Sequence, residues 1–172
     1  MASRVAVEPV ALADLRHGLR RLDRFADVLA ALRRGESGAV DGAWGAACAL
    51  VAAALAEPCP GTLLIVLPRS GDLDEFADDV SSFAGHPPLI FPAWESLPQD
   101  RDVSDVIWGA RLRVLKALAA PSPPQAIVTC IQALLQPVPS RTELAAKTRR
   151  IRTGAQLDLD AFLGWLVDHG FE

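Results

Sequence analysis

Gly42, Gly45, Ala47, Cys48 and Ala49 stand where a phosphate-binding loop would do its chemistry. From Asp41 the chain reads DGAWGAACALVAAALA, a glycine-punctuated turn running into an apolar helix. A working loop of the form GxxxxGK[ST] aims backbone N–H groups at phosphate. It adds a Lys for the outer phosphates and a Ser or Thr hydroxyl for Mg²⁺. Laid on Gly42, the pattern puts its second Gly on Ala47, its Lys on Cys48 and its hydroxyl on Ala49. The turn survives, whereas the cation and the hydroxyl do not. Two readings stay open: a phosphate loop that has lost its chemistry, and a glycine turn that lets a helix pack closely. Under the first, Trp44 is expected to fill the vacated site.

No other stretch supplies the missing groups. The apolar run LLIVLP is followed by Arg69 and Ser70, and AIVTC by Ile131, so neither ends in a carboxylate for Mg²⁺. Neither GxSxG nor HExxH occurs. Asp72, Asp74, Glu75, Asp78 and Asp79 cluster on a segment whose other face is apolar, which reads as a solvated acidic face. Cys48, Cys59 and Cys130 lack zinc spacing and read as small buried thiols in a reducing cytosol, so a cytoplasmic protein without metal or cofactor is expected. Arg141, Lys147, Arg149, Arg150 and Arg152 form a basic stretch with no interleaved aromatics for base stacking. A net charge of −4 argues against a free-standing nucleic-acid binder. With 51% apolar and 22% charged residues, a packed core is within reach, and no apolar run is long enough to span a membrane.

The elements that must position these groups follow from periodicity. Leu12, Leu15, Leu19, Leu22, Phe25, Leu29 and Leu32 predict a helix over 11–34, and a second helix runs from Gly45 to Glu57. GTLLIVLP, bounded by Gly61 and Pro68, predicts a strand buried on both faces. Ser70 is expected to cap a helix with Leu73, Phe76, Ala77, Val80 and Phe83 inward. PLIFP is a short strand, 102–119 a helix, AIVTC a strand and Gln132 to Leu135 a short helix. KTRRIRTG is expected as an exposed strand. A last helix over 158–169 should turn Leu159, Phe162, Leu163 and Leu166 inward and end at Gly170. Alternating strands and helices imply an α/β three-layer sandwich around a mainly parallel sheet. Phe171 and Glu172 should enter a further element, so the chain is expected to be a fragment.

FPAWESLPQD followed by ARLRVLKAL is the most distinctive stretch. It resembles the N-terminal region of the bacterial transcription-repair coupling factor family (Mfd). There a strand leads into a Trp-Glu-x-Leu-Pro segment and then a helix with an Arg-Leu pair. The matching positions are Trp94, Glu95, Leu97, Pro98, Arg111 and Leu112. GAWGAACALVAAALA, AIVTCIQALLQPVP and GAQLDLDAFLGWLVDHGFE are collinear with further segments of that family, so the resemblance covers roughly residues 36–172. It implies a P-loop-NTPase-like fold similar to the repair protein UvrB, with a degenerate phosphate loop. It also implies three parts: a helical extension over 1–35, a UvrB-like α/β domain over 36–140, and the truncated start of a UvrA-binding domain over 141–172. The short connection from Gln99 to Val103 leaves no room for the aromatic-rich DNA-gripping hairpin of UvrB.

The implied role is that of a non-catalytic scaffold in a protein that displaces stalled RNA polymerase at DNA lesions and recruits UvrA for nucleotide excision repair. UvrA, RNA polymerase, DNA and the parent's other domains are the implied partners, reached through the full-length translocase. The alternative is a stand-alone nucleotide- or DNA-binding α/β domain. In either case Trp94 should be anchored against the start of the 102–119 helix and the sheet edge, because a lone indole in water forgoes a large apolar contact.

Overall fold

The computed structural model describes residues 11–94 and 105–169. They form two compact units, Met1–Gln136 and Pro137–Glu172. The first begins with helices α1 (Leu12–Arg20) and α2 (Asp23–Arg33), where the periodicity predicted one continuous helix. The break falls at Leu22, whose backbone is extended (φ −73°, ψ 126°). Gly18 weakens the last turn of α1, and Asp23 favours a fresh N-terminus. Of the apolar stripe only Phe25 is buried.

α1 packs on α3 (Ala46–Ala56) and α4 (Leu73–Ala84). Arg16 donates to the Ala84 carbonyl at 2.7 Å, satisfying an acceptor at the end of α4. Arg20 donates to Glu57 at 2.7 Å, just past the end of α3. That hydrogen bond, with the nearby charges of Arg20, Arg16 and His17, outweighs burial and holds the Glu57 carboxyl below the ordinary glutamate range. The folded state therefore gains stability above the unfolded glutamate pKa and loses it as pH falls through the lowered folded value. Glu57 is about half exposed, so solvent screens the pair. Glu57→Gln is expected to cost at most about 1 kcal/mol at pH 7. The gap from wild type should close as the pH of a melting series drops below the folded pKa. A gap that persists or widens in acid would refute the linkage.

α3 and α4 pack directly against each other. Ala49, Ala52 and Ala53 of α3 meet Val80 and Ala84 of α4, all buried, with Phe76, Phe83 and Ile65 packed around them. Small residues on one helix let the other approach closely and fill the space with its larger side chains. Leu73, Ala77 and Val80 face inward as the periodicity requires, with Phe76 and Phe83 partly buried beside them. Ser70 does not cap α4. It opens a single 3₁₀ turn, Ser70–Asp72, and no side-chain cap bond is made at Asp72. Gly85 ends the helix in the left-handed region (φ 82°), a conformation that glycine adopts without a Cβ clash.

Among the described residues the sheet has three strands, β1 (Leu63–Leu67), β2 (Leu89–Phe91) and β3 (Ala126–Cys130), in the order β1-β3-β2 and all parallel. This is an α/β architecture with a small open sheet. The register aligns Ile65, Val128 and Ile90 on one face, and Val66, Thr129 and Phe91 on the other. Central β3 is buried throughout, but β1 alternates. Leu64 is 50% and Val66 40% exposed, so β1 is covered on one face and not on both. A continuous apolar run cannot report which strand will lie at an edge. Buried Thr129 donates to the Phe91 carbonyl at 2.8 Å, tying β3 to β2 at their ends. Helix α5 (Asp105–Leu118) lies beside β2 and contributes buried Val114 to the core, and α6 (Ile131–Leu135) follows β3 directly.

The second unit contains α7 (Arg141–Ala146) and α8 (Leu159–Asp168). A capping box starts α7: Ser140 accepts from the Glu143 N–H while the Glu143 carboxylate accepts from the Ser140 N–H. Asp158 caps α8 by accepting from the Ala161 N–H. Residues 147–154 form no strand. Leu159 and Leu163 are 59% and 49% exposed rather than inward, and no described residue of this unit is buried. About thirty residues enclose too little volume to hide a large side chain fully.

Candidate functional site

The most developed side-chain constellation lies at the carboxyl end of the sheet. Chain leaving β2 passes through Pro92 and Ala93 to Trp94, and Arg111 on α5 reaches back to it. The Arg111 side chain is buried and donates to the Pro92 carbonyl at 2.7 Å and to Gln136 Oε1 at 3.3 Å. Its guanidinium lies 4.2 Å from the Phe91 ring centroid and 4.9 Å from that of Trp94. Burial pushes the guanidinium pKa down, partly opposed by the Cys130 thiol. Two π faces and a carbonyl replace the water that this cation has left.

Trp94 is anchored, as expected. Its ring packs on Trp108 of α5 at 4.9 Å, tilted by 33°. Its main chain is held by two amide side chains: the Trp94 N–H donates to Gln136 Oε1 at 2.6 Å, and the Trp94 carbonyl accepts from Gln136 Nε2 at 3.3 Å and from Gln132 Nε2 at 3.4 Å. Gln136 thus pairs with the backbone as a neighbouring strand would. The indole Nε1 is buried and, among the described residues, has no hydrogen-bond partner. Sequence reasoning singled out Trp94 and Arg111, and the fold brings them together. Leu112 is half-buried on the same helix. Glu95, Leu97 and Pro98 lie outside the described residues. Sequence reasoning missed Gln136, Phe91 and Trp108. A Gln ahead of a Pro carries no local signal of what it will bond.

Beside this cluster is a crevice of about 350 Å³, lined by Ser70, Asp74, Ile90, Pro92, Trp94, Ile107 and Gln132 among others. Crevices at the carboxyl ends of parallel strands are the usual ligand positions in open α/β sheets. Among the described residues that line it, the one charged side chain is the Asp74 carboxylate, which disfavours phosphate. Among the described residues no group of His, Cys, Asp and Glu could hold a metal ion.

The turn before α3 is separate. Gly42 and Gly45 both adopt positive φ (79° and 52°), and the Gly42 N–H donates to the Asp41 carboxylate at 2.8 Å. That carboxylate takes an amide that a phosphate loop would offer to its ligand. No strand precedes the turn among the described residues, since α2 comes before it and β1 only after α3. The strand–loop–helix setting of a phosphate loop is therefore not formed. Trp44 is 84% exposed and fills no site. Cys48 is exposed, not buried, and its thiol donates to the Ala43 carbonyl at 3.4 Å. In the second unit Arg149 lies over Trp165 at 5.6 Å, so the fold places an aromatic beside the basic stretch that the linear sequence did not show.

These features define an α/β protein with a three-stranded parallel sheet and a tryptophan–arginine cluster at its carboxyl end. No protein-family model matches the chain. Over 96 residues it is 35% identical to the transcription-repair-coupling factors of Mycobacterium bovis (strain ATCC BAA-935 / AF2122/97) and Mycobacterium tuberculosis (strain CDC 1551 / Oshkosh). The match takes in 52% of this chain and 8% of each relative. Over about half its length the chain is thus a distant relative of the transcription-repair-coupling factor. No described helix is long and apolar enough to cross a membrane.

Proposed function

We propose that the chain is the non-catalytic N-terminal scaffold of a transcription-repair coupling factor. Residues 36–140 then correspond to a UvrB-like domain that has lost its phosphate chemistry, and 141–172 to the opening of a UvrA-binding module. In the parent, this part would support a translocase that displaces stalled RNA polymerase and recruits UvrA. The observation that carries the reading is the 35% identity over 96 residues. It is supported by the collinear segments around Trp94, Arg111 and Leu112 that resemble the family. Reading the gene beyond codon 172 tests it. Helicase-type motor motifs are expected downstream, and an immediate stop codon overturns the reading.

The same reading makes the turn at Gly42 and Gly45 silent toward ATP. A ligand that binds only the native state at a hundred times its dissociation constant stabilises it by about 2.7 kcal/mol. Melting curves with and without millimolar Mg-ATP should overlay. An ATP-specific rise that a bulky substitution at Gly45 removes would make the protein a nucleotide binder instead.

A further inference from the structure

Asp41 and Gly42 are the chain's one Asp-Gly pair, and the chain contains no asparagine. At such a pair the peptide nitrogen can attack the neighbouring side-chain carboxyl, because glycine sets no Cβ beside that nitrogen. The fold singles out the same two residues. The Gly42 N–H donates to the Asp41 carboxylate at 2.8 Å, so the nitrogen stands beside the carbon it would attack. Among the described residues neither the Asp41 side chain nor the Gly42 N–H makes another hydrogen bond. Both residues are exposed and belong to no helix or strand. Gly42 sits at φ 79°, and a Cβ built on it would meet no atom within 4 Å. Every other described aspartate lies in a helix or a 3₁₀ turn, or caps one. Each of those is followed by a residue whose Cβ crowds the nitrogen.

We propose that Asp41–Gly42 is a site of spontaneous covalent modification, at which the chain isomerises to a β-linked, isoaspartyl residue. In the first step Gly42 N bonds to Asp41 Cγ. The carboxyl hydroxyl leaves with the amide hydrogen as water, and a five-membered succinimide ring closes. In the second step water adds to one ring carbonyl and a C–N bond breaks. Breaking the bond to Cγ restores aspartate. Breaking the bond to the original main-chain carbon frees an α-carboxylate and routes the main chain through Cβ and Cγ, one carbon longer. One water leaves and one returns, and nothing is oxidised or reduced. The reaction is intramolecular, so it depends on no partner and no uncovered surface. It falls in the turn before α3, where no ordered element must break to admit the longer chain. The freed α-carboxylate is a methyl acceptor, so the product is a substrate for isoaspartyl-specific methyl transfer from S-adenosylmethionine.

The purified chain is aged for weeks in warm neutral buffer, then given an isoaspartyl methyltransferase and labelled S-adenosylmethionine. Label should rise with age and map to the tryptic peptide Gly35–Arg69. That peptide should split into two species of equal mass, with a transient third one water lighter. Asp41→Glu, which keeps the carboxylate but would need a six-membered ring, should abolish the label. Asp78→Glu, within α4, should leave it unchanged. Exposed loops open at almost no free-energy cost. The rate in the folded chain should therefore lie within about tenfold, or about 1.4 kcal/mol, of that in a free peptide of the same turn. An aged chain that takes no label overturns the proposal. So does label outside the Gly35–Arg69 peptide, label that survives Asp41→Glu or is lost in Asp78→Glu, or a rate further below that of the peptide.

Discussion

Arg111→Ala is expected to lower the melting temperature by about 10 °C. The substitution leaves the part-buried Pro92 carbonyl without its 2.7 Å donor, a loss of about 1–3 kcal/mol. It removes a cation from between two rings, worth about 1 kcal/mol more. It also opens a cavity where a long side chain was buried. Together these reach about 3–4 kcal/mol, and a protein of this size loses about 2–4 °C per kcal/mol. Part of the value of Arg111 is offset by the cost of burying its charge, the same cost that lowers its pKa. Arg111→Met, which refills the space without a charge, should therefore lose about half as much. Tryptophan emission should shift to the red in the alanine variant, because the Trp94 ring loses the guanidinium that packs on it. A melting point within about 2 °C of wild type for Arg111→Ala would show that the cluster does not hold the end of β2 in place.

What the sequence disclosed and what it hid divide along the range of the interactions. α3, α4, β1 and β3 were legible because each is a local pattern. Alanine spacing, an apolar 3.6-residue period and short β-branched runs bounded by Gly or Pro state their own element type. The exposure of Leu64 and Val66 was not legible, since it depends on β1 taking an edge position, and strand order is a non-local fact. The break at Leu22 was hidden by a leucine stripe that runs unbroken through it. Leu159 and Leu163 read as inward because periodicity marks an apolar face without saying whether a partner covers it. At the site, the packing of Trp94 followed from the cost of a lone indole. Its clamp by Gln136 spans 42 positions and has no sequence signature. The residues at Gly42 to Ala49 include no Lys, Ser or Thr, and the sequence states no more than that. They could not show that Asp41 takes the Gly42 amide, or that Trp44 points to solvent.

Ala53→Leu should destabilise the first unit by about 3 kcal/mol, the upper end for overpacking. Ala53 is 1% exposed, in the contact where α3 lies against α4. Its methyl is the size that lets Val80 and Ala84 of the facing helix close on it. Three added carbons meet a cluster that already holds Phe76, Phe83 and Ile65. They can be housed only by parting the helices or by forcing strained rotamers. Helix propensity does not confuse the result, because leucine ranks next to alanine. Ala47→Leu, at an exposed position in the same helix, should stay within about 0.5 kcal/mol of wild type. The decisive measurement is a double variant. If volume is the cause, Val80→Ala, harmful by itself, should recover part of the loss in an Ala53→Leu background. Strictly additive losses in chemical denaturation would mean that the two side chains do not share space, and that something other than the alanine stripe sets the closeness of α3 and α4.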